Sequence, residues 1–129
     1  MKRVTGLGGI FFKCEDAEKM KEWYRQHLGI DAGKDGAVFK WRDFEAPEKK
    51  CLTAWSAVPM HTKYFDPSQK PFMFNYRVEN LETLLEELRK EGVTVVGAVE
   101  EYEYGKFGWI LDPEGNKIEL WEPIDDTLL

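Results

Sequence analysis

The strongest constraint on this chain is that it repeats itself. Residues 8–30, GGIFFKCEDAEKMKEWYRQHLGI, lie over residues 72–93, FMFNYRVENLETLLEELRKEGV, when Cys14 is set on Val78. Glu15 then meets Glu79, Asp16 meets Asn80, Glu18 meets Glu82, Met20 meets Leu84, Glu22 meets Glu86 and Arg25 meets Arg89. One residue drops out before the glycine, so Gly29 meets Gly92. Further on, CLTAWSA (51–57) matches KIELWEP (117–123) with Trp55 on Trp121. A module used twice must fold twice in the same way. The 129 residues are enough for a single domain made of both copies.

Local pattern supplies the module. GIFFKC and FMFNYRV are short, aromatic and β-branched, as strands are. Asp16 and Asn80 stand where a helix N-cap would accept a free backbone N–H. Ala17, Met20, Tyr24 and Leu28 form one apolar stripe at helical spacing; Leu81, Leu84, Leu85 and Leu88 form another. Gly29 and Gly92 fall where a helix commonly ends in a left-handed residue. Strands are expected next at about 30–32, in AVFKWR and in CLTAWSA, then in TVVGAVE, FGWILD and NKIELWE. DPEGN (112–116) reads as a tight hairpin turn. VPMHTKYFDPSQKP (58–71), with three prolines and little periodicity, reads as a linker.

The expected fold is therefore α+β: two tandem βαβββ modules forming a cup-shaped mixed sheet with helices on the outer face. Module one runs over about 5–57 and module two over about 72–124, inside a single domain spanning 1–129. The tail IDDTLL is expected to be mobile unless it docks.

Composition narrows the partners. Net charge is −6 with no basic run, which argues against nucleic acid and anionic membranes. No apolar run is long enough to span a bilayer, and the N-terminus becomes charged too soon for a signal peptide. A cytoplasmic location is expected. Cys14 and Cys51 make no C-x-x-C pair and read as reduced, half-buried thiols. Aromatic residues reach 14% with five Trp, more than a small core needs, so some should line a pocket or an interface.

AEKMKEWYRQHLGI and WILDPEGNKIELWEP, set in a duplicated βαβββ pattern, resemble the glyoxalase/bleomycin-resistance/extradiol-dioxygenase superfamily, also called vicinal oxygen chelate. The resemblance covers about residues 5–124, and the run from Glu100 to Pro123 is similar to a glyoxalase-like bacterial subgroup. It implies a two-fold homodimer. In metal-using members, ligands come from the first and last strands of each module. Carried over, these positions are Gly9, Met73, Thr53 and Glu119. Gly9 has no donor, Met73 is a soft thioether, Thr53 is a weak neutral ligand, and a lone carboxylate does not hold a divalent ion. The expectation is no metal site and no cofactor.

Alternation along the strands suggests the cup lining. Phe11, Lys13, Thr53, Trp55, Met73, Asn75, Arg77 and Trp121 are the expected ligand-binding residues, and Glu119 is the candidate catalytic acid or base. Arg77 has a second reading, as a structural ion pair with Glu119. His61 is a minor candidate base, and Tyr102 and Tyr104 are expected at the rim. The leading expectation is a metal-independent binder of a small organic molecule. Trp-rich walls fit an aromatic or cationic ligand; Lys13 and Arg77, if inward, fit an anion. The alternatives are a metal-independent lyase or isomerase using Glu119, a metal-dependent glyoxalase or dioxygenase-type enzyme with atypical ligands, and a dimerising domain with a filled cup.

Overall fold

The computed structural model describes residues 2–124; residues 125–129, most of the tail expected to be mobile, lie outside the described residues. Module one contains β1 (Val4–Cys14), α1 (Ala17–Leu28), β2 (Ala37–Arg42) and β3 (Lys50–Pro59). Module two contains β4 (Phe72–Val78), α2 (Leu81–Lys90), β5 (Val95–Tyr102), β6 (Gly105–Leu111) and β7 (Lys117–Pro123). Among the described residues all seven strands join one mixed sheet, ordered β2-β3-β1-β4-β7-β6-β5. The strand expected near 30–32 is replaced by a tight turn, with Gly33 and Gly36 bridged.

The repeat is visible in the pairing. The first strand of each module runs parallel to its last, β1 with β3 and β4 with β7. The two modules meet through antiparallel β1 and β4. Each helix packs on the outer face over its own module. Cys14, Trp55 and Ala57 form the core under α1 with Met20 and Tyr24. Leu81, Leu84 and Leu85 of α2 close over Val78 and Leu120.

The helix ends follow local chemistry, with one difference between copies. The Asp16 carboxylate accepts from the Lys19 N–H at 3.0 Å, and Gly29 takes the left-handed conformation at φ 70°. Asn80 makes no such side-chain bond. The first N–H of α2, on Leu81, donates instead to Glu122 on β7 at 2.8 Å. A tertiary carboxylate thus replaces the expected local cap and ties α2 to the last strand. In the DPEGN turn, the Asp112 side chain accepts from the Glu114 and Asn116 N–H groups, both at 2.9 Å, and Gly115 supplies a positive φ of 80°. No helix among the described residues is long and apolar enough to cross a membrane.

Candidate functional site

The concave face of the sheet holds a cavity of about 650 Å³. Gly8 and Phe11 of β1, Val38 of β2, and Leu52, Ala54, Ser56 and Val58 of β3 line it from module one. Asn75, Tyr104, Phe107, Glu119 and Trp121 line it from module two. The remaining wall comes from the segment between modules. Thr62, Tyr64 and Phe65 fold into the cup, and Phe65 is buried against Met73 and Trp109. The stretch expected to be a plain linker is therefore part of the site, and it fills one side of the cup while leaving the rest open.

Glu119 lies at the floor, 2% exposed. The strand register sets Asn75 opposite it on β4 and Trp109 opposite it on β6. Asn75 Nδ2 donates to Oε1 at 2.6 Å, and Trp109 Nε1 donates to Oε2 at 2.9 Å. The Tyr64 hydroxyl also donates to Oε2. Three donors offset the cost of burying a carboxylate, which would otherwise be large. Burial, with the nearby Glu119 charge, pushes the Tyr64 phenol far above its ordinary value, so it stays protonated and able to donate. Burial also pulls the Lys117 ammonium down, an effect that Glu119 partly offsets. Lys117 Nζ lies over the rings of Tyr64 and Trp109, at 5.3 and 5.5 Å from their centroids.

One polar atom in this array has no hydrogen-bond partner. Asn75 Oδ1 is buried and unpaired. Its orientation follows from Glu119: turning the amide would place oxygen against the carboxylate. A buried acceptor left without a donor costs about 1–3 kcal/mol. Gly8 lies beside it, and a Cβ there would stand 2.1 Å from Oδ1. Glycine is thus required by close approach rather than by backbone conformation.

A third feature is a stack of flat groups. Phe107 and Trp121 lie parallel, their centroids 5.8 Å apart. Arg77, only 2% exposed, sets its guanidinium 5.2 Å from the Trp121 ring and 5.4 Å from the Trp41 ring, while Nη1 donates to the Leu52 carbonyl at 3.1 Å. Among the described residues no ion pair joins Arg77 to Glu119; Arg77 instead braces the aromatic wall from behind.

The expected site residues divide accordingly. Phe11, Asn75, Glu119 and Trp121 come together on the cavity wall. Met73 lies beneath Phe65, and Lys13 Nζ sits 5.3 Å over the Phe65 ring. Thr53 and Trp55 correct the expected lining: β3 presents its even-numbered residues to the cup. Trp55 packs under α1 against Phe12 and Tyr24, at 5.3 and 5.0 Å between ring centroids. The Thr53 hydroxyl donates to the Leu7 carbonyl at 2.6 Å and accepts from Trp41 Nε1 at 2.8 Å. Alternation gives faces only relative to one another, and a one-residue phase error on β3 exchanges them all. On β1, irregular register between Leu7 and Gly9 brings Gly8 to the cup wall. Tyr104 lines the cup, whereas Tyr102 stacks on Tyr104 with centroids 5.5 Å apart.

Three important residues are missed by sequence reasoning. Trp109 is readable in principle: the DPEGN turn pairs Leu111 with Lys117, which places Trp109 opposite Glu119. Tyr64 and Phe65 carry no periodic signal, since they belong to no regular element.

A glyoxalase-like domain model matches residues 9–121. The chain belongs to this family. Solved structures with this fold include methylmalonyl-CoA epimerase from Mycobacterium tuberculosis, 21% identical, with a TM-score of 0.63 over 99% of this chain and 94% of that one. A Streptomyces coelicolor methylmalonyl-CoA epimerase in complex with 2-nitronate-propionyl-CoA is 14% identical, with a TM-score of 0.68 over 94% of this chain and 99% of that one. A glyoxalase/bleomycin resistance protein/dioxygenase superfamily member from Vibrio splendidus is 14% identical, with a TM-score of 0.56 over 90% and 98%. No curated protein sequence matches the chain. These likenesses establish the fold of the vicinal oxygen chelate superfamily.

The superfamily implies a divalent metal held between facing strands, and the donor set of this glyoxalase-like chain does not fit one. The strand register corrects the carried-over positions: Phe11 stands opposite Ser56 as Asn75 stands opposite Glu119. The counterparts of Glu119 are thus Phe11, Ser56 and Asn75 rather than Gly9, Thr53 and Met73, and Trp55 is not the counterpart of Trp121. Glu119 is the one strong ligand of the four, and its oxygens already accept three hydrogen bonds. Among the described residues no group of three or more His, Cys, Asp or Glu is placed to hold a metal. Four-coordinate metal sites need more than one committed side chain.

Proposed function

We propose that this glyoxalase-like protein binds a small, planar organic molecule in its cup, neutral or cationic in charge, without using a metal. The observation that carries the reading is the cavity of about 650 Å³, walled by Phe11, Phe107 and Trp121 and floored by Asn75 and Glu119. That volume and mixture suit a small-molecule site. Among the described residues, the cavity lining includes the acidic Asp35 and Glu119 and no lysine or arginine. The Lys117 ammonium, over the rings of Tyr64 and Trp109, offsets part of the Glu119 charge from outside that lining, and the balance favours a neutral or cationic molecule over an anion.

A metal-independent lyase or isomerase using Glu119 is the second reading, favoured by the Tyr64 hydroxyl at the carboxylate. Binding without chemistry fits better. A general base needs a free lone pair aimed at the substrate, and here Asn75, Trp109 and Tyr64 take three of the carboxylate's about four acceptor sites, so an incoming molecule meets Glu119 as a hydrogen-bond acceptor. A cytoplasmic location and a two-fold homodimer remain part of the proposal. Cys14 and Cys51 are buried thiols, which fits a reducing compartment, and sedimentation tests the dimer.

The main test is a thermal-shift screen of small organic molecules, followed by mapping of hits on amide and indole NMR resonances. Ligands that stabilise the native state raise the melting temperature, and hits should shift Trp109 and Trp121 indole signals. Hits confined to surfaces away from the cup would refute the reading. Turnover of a hit would move the conclusion to the enzyme. Elemental analysis of protein purified without chelator tests the metal claim, which stoichiometric Zn, Ni, Fe or Mn would overturn.

A further inference from the structure

We propose that Tyr64 holds the place of the ligand: the cup binds an aromatic molecule bearing an O–H or N–H donor, which takes over the hydrogen bond from Tyr64 to Glu119. The inference rests on the small-molecule reading above and names the chemical class that the site selects.

The three donors to Glu119 are not equivalent. Asn75 and Trp109 are buried, on strands β4 and β6. Tyr64 is 47% exposed and belongs to the irregular segment between β3 and β4. Turned outward, its hydroxyl would bond to water, whereas neither Asn75 nor Trp109 has that option. Tyr64 is therefore the donor that an incoming molecule displaces at least cost.

The place Tyr64 occupies defines what fits there. Its ring stands edge-on to Trp109, with centroids 6.2 Å apart at 90°, and packs against Phe65 at 6.5 Å. A flat ring with one donor at its tip already satisfies this corner. Asn75 Oδ1 is buried against Gly8 and out of a ligand's reach, and Asn75 Nδ2 is committed to Glu119. The acceptor that displacement of Tyr64 frees is therefore Glu119 Oε2, and a carboxylate oxygen calls for a ligand that brings hydrogen rather than lone pairs. The acidic lining of Asp35 and Glu119 acts in the same direction.

The experiment uses the full chain and three matched probes: 2-naphthol, 2-(aminomethyl)naphthalene and 2-methoxynaphthalene. Binding is followed on the indole N–H resonances, because Trp109 shares Oε2 with Tyr64. The first two probes should bind and shift the Trp109 resonance; the methoxy compound, with no donor, should bind about tenfold more weakly. Tyr64→Phe keeps the ring but removes the competing donor, and should tighten 2-naphthol binding by about tenfold. Equal affinity for the methoxy compound, a Trp109 signal that stays still, or unchanged affinity in a folded Tyr64→Phe variant each overturns the inference. If Trp121 shifts in those cases, the cup still binds and only the donor exchange is wrong. If no probe moves any cup resonance, the aromatic-donor class is wrong, and the broader screen alone judges the small-molecule reading. Should Tyr64→Phe fail to fold, the three probes on the unmodified protein decide.

Discussion

Replacing Glu119 in two ways separates the worth of its charge from the worth of its acceptors. In Glu119→Ala, Asn75 Nδ2 and Trp109 Nε1 lose their acceptor inside the protein, while Tyr64 can turn to water. Two buried donors left unsatisfied cost about 1–3 kcal/mol each, and the emptied volume adds to this, for a total of about 3–6 kcal/mol. In Glu119→Gln the shape is kept. The new carbonyl can sit at the Oε2 position and accept from Trp109 and Tyr64, leaving the new NH₂ against Asn75. Asn75 then turns its amide, so that its formerly unpaired Oδ1 accepts from the introduced NH₂ group. Three charge-assisted bonds become neutral ones, at about 1 kcal/mol each, and relief of the buried charge offsets part of that. The expected cost is about 1–3 kcal/mol. Urea unfolding followed by Trp fluorescence and circular dichroism measures both values, provided the two probes coincide. If Glu119→Ala costs no more than Glu119→Gln, the account of Glu119 as a shared acceptor for buried donors is wrong.

Three other outcomes are expected. The raised Tyr64 phenol means that the folded state keeps its proton where the unfolded chain, with a tyrosine near pKa 10, releases it. That contribution is present below about pH 10 and is lost as pH rises further, so Tyr64→Phe should show a shallower alkaline loss of stability. Trp55→Ala should destabilise by about 3–5 kcal/mol yet leave ligand affinity per folded molecule unchanged, whereas Trp121→Ala should weaken binding as well; calorimetric titration with a screened ligand separates them. Gly105 sits at φ 131°, where a Cβ would stand 2.2 Å from the Glu122 carbonyl oxygen. Gly105→Ala should cost at least about 2 kcal/mol in the same urea assay, since neither backbone can yield cheaply.

The duplicated module, both helices with their buried stripes, the hairpin turn at Asp112–Asn116 and the family were legible along the chain, because each depends on short-range spacing. So was the prominence of Glu119, a charge inside an apolar strand. The faces of the strands were less secure. On β4 and β7 the phase could be read from Asn75, Arg77, Glu119 and Trp121. On β3 both phases look alike: Cys51, Thr53 and Trp55 are as plausible inward as Leu52, Ala54 and Ser56, and Trp55 faces the helix. β1 fixes the phase only once its pairing with β3 is known: Phe11, on the cup wall, stands opposite Ser56.

Tyr64 and Phe65 mark the boundary most clearly. Nothing near either in the chain predicts that one would reach a carboxylate 55 positions away or that the other would fill part of the cup. Periodicity reports which side of its own element a residue occupies, and these two belong to none. The sequence by itself determined a two-module sheet with a carboxylate among apolar neighbours. Strand pairing within module two and the fold-back of the segment between modules decided which side chains surround that carboxylate, because burial forces it to find donors wherever the fold brings them.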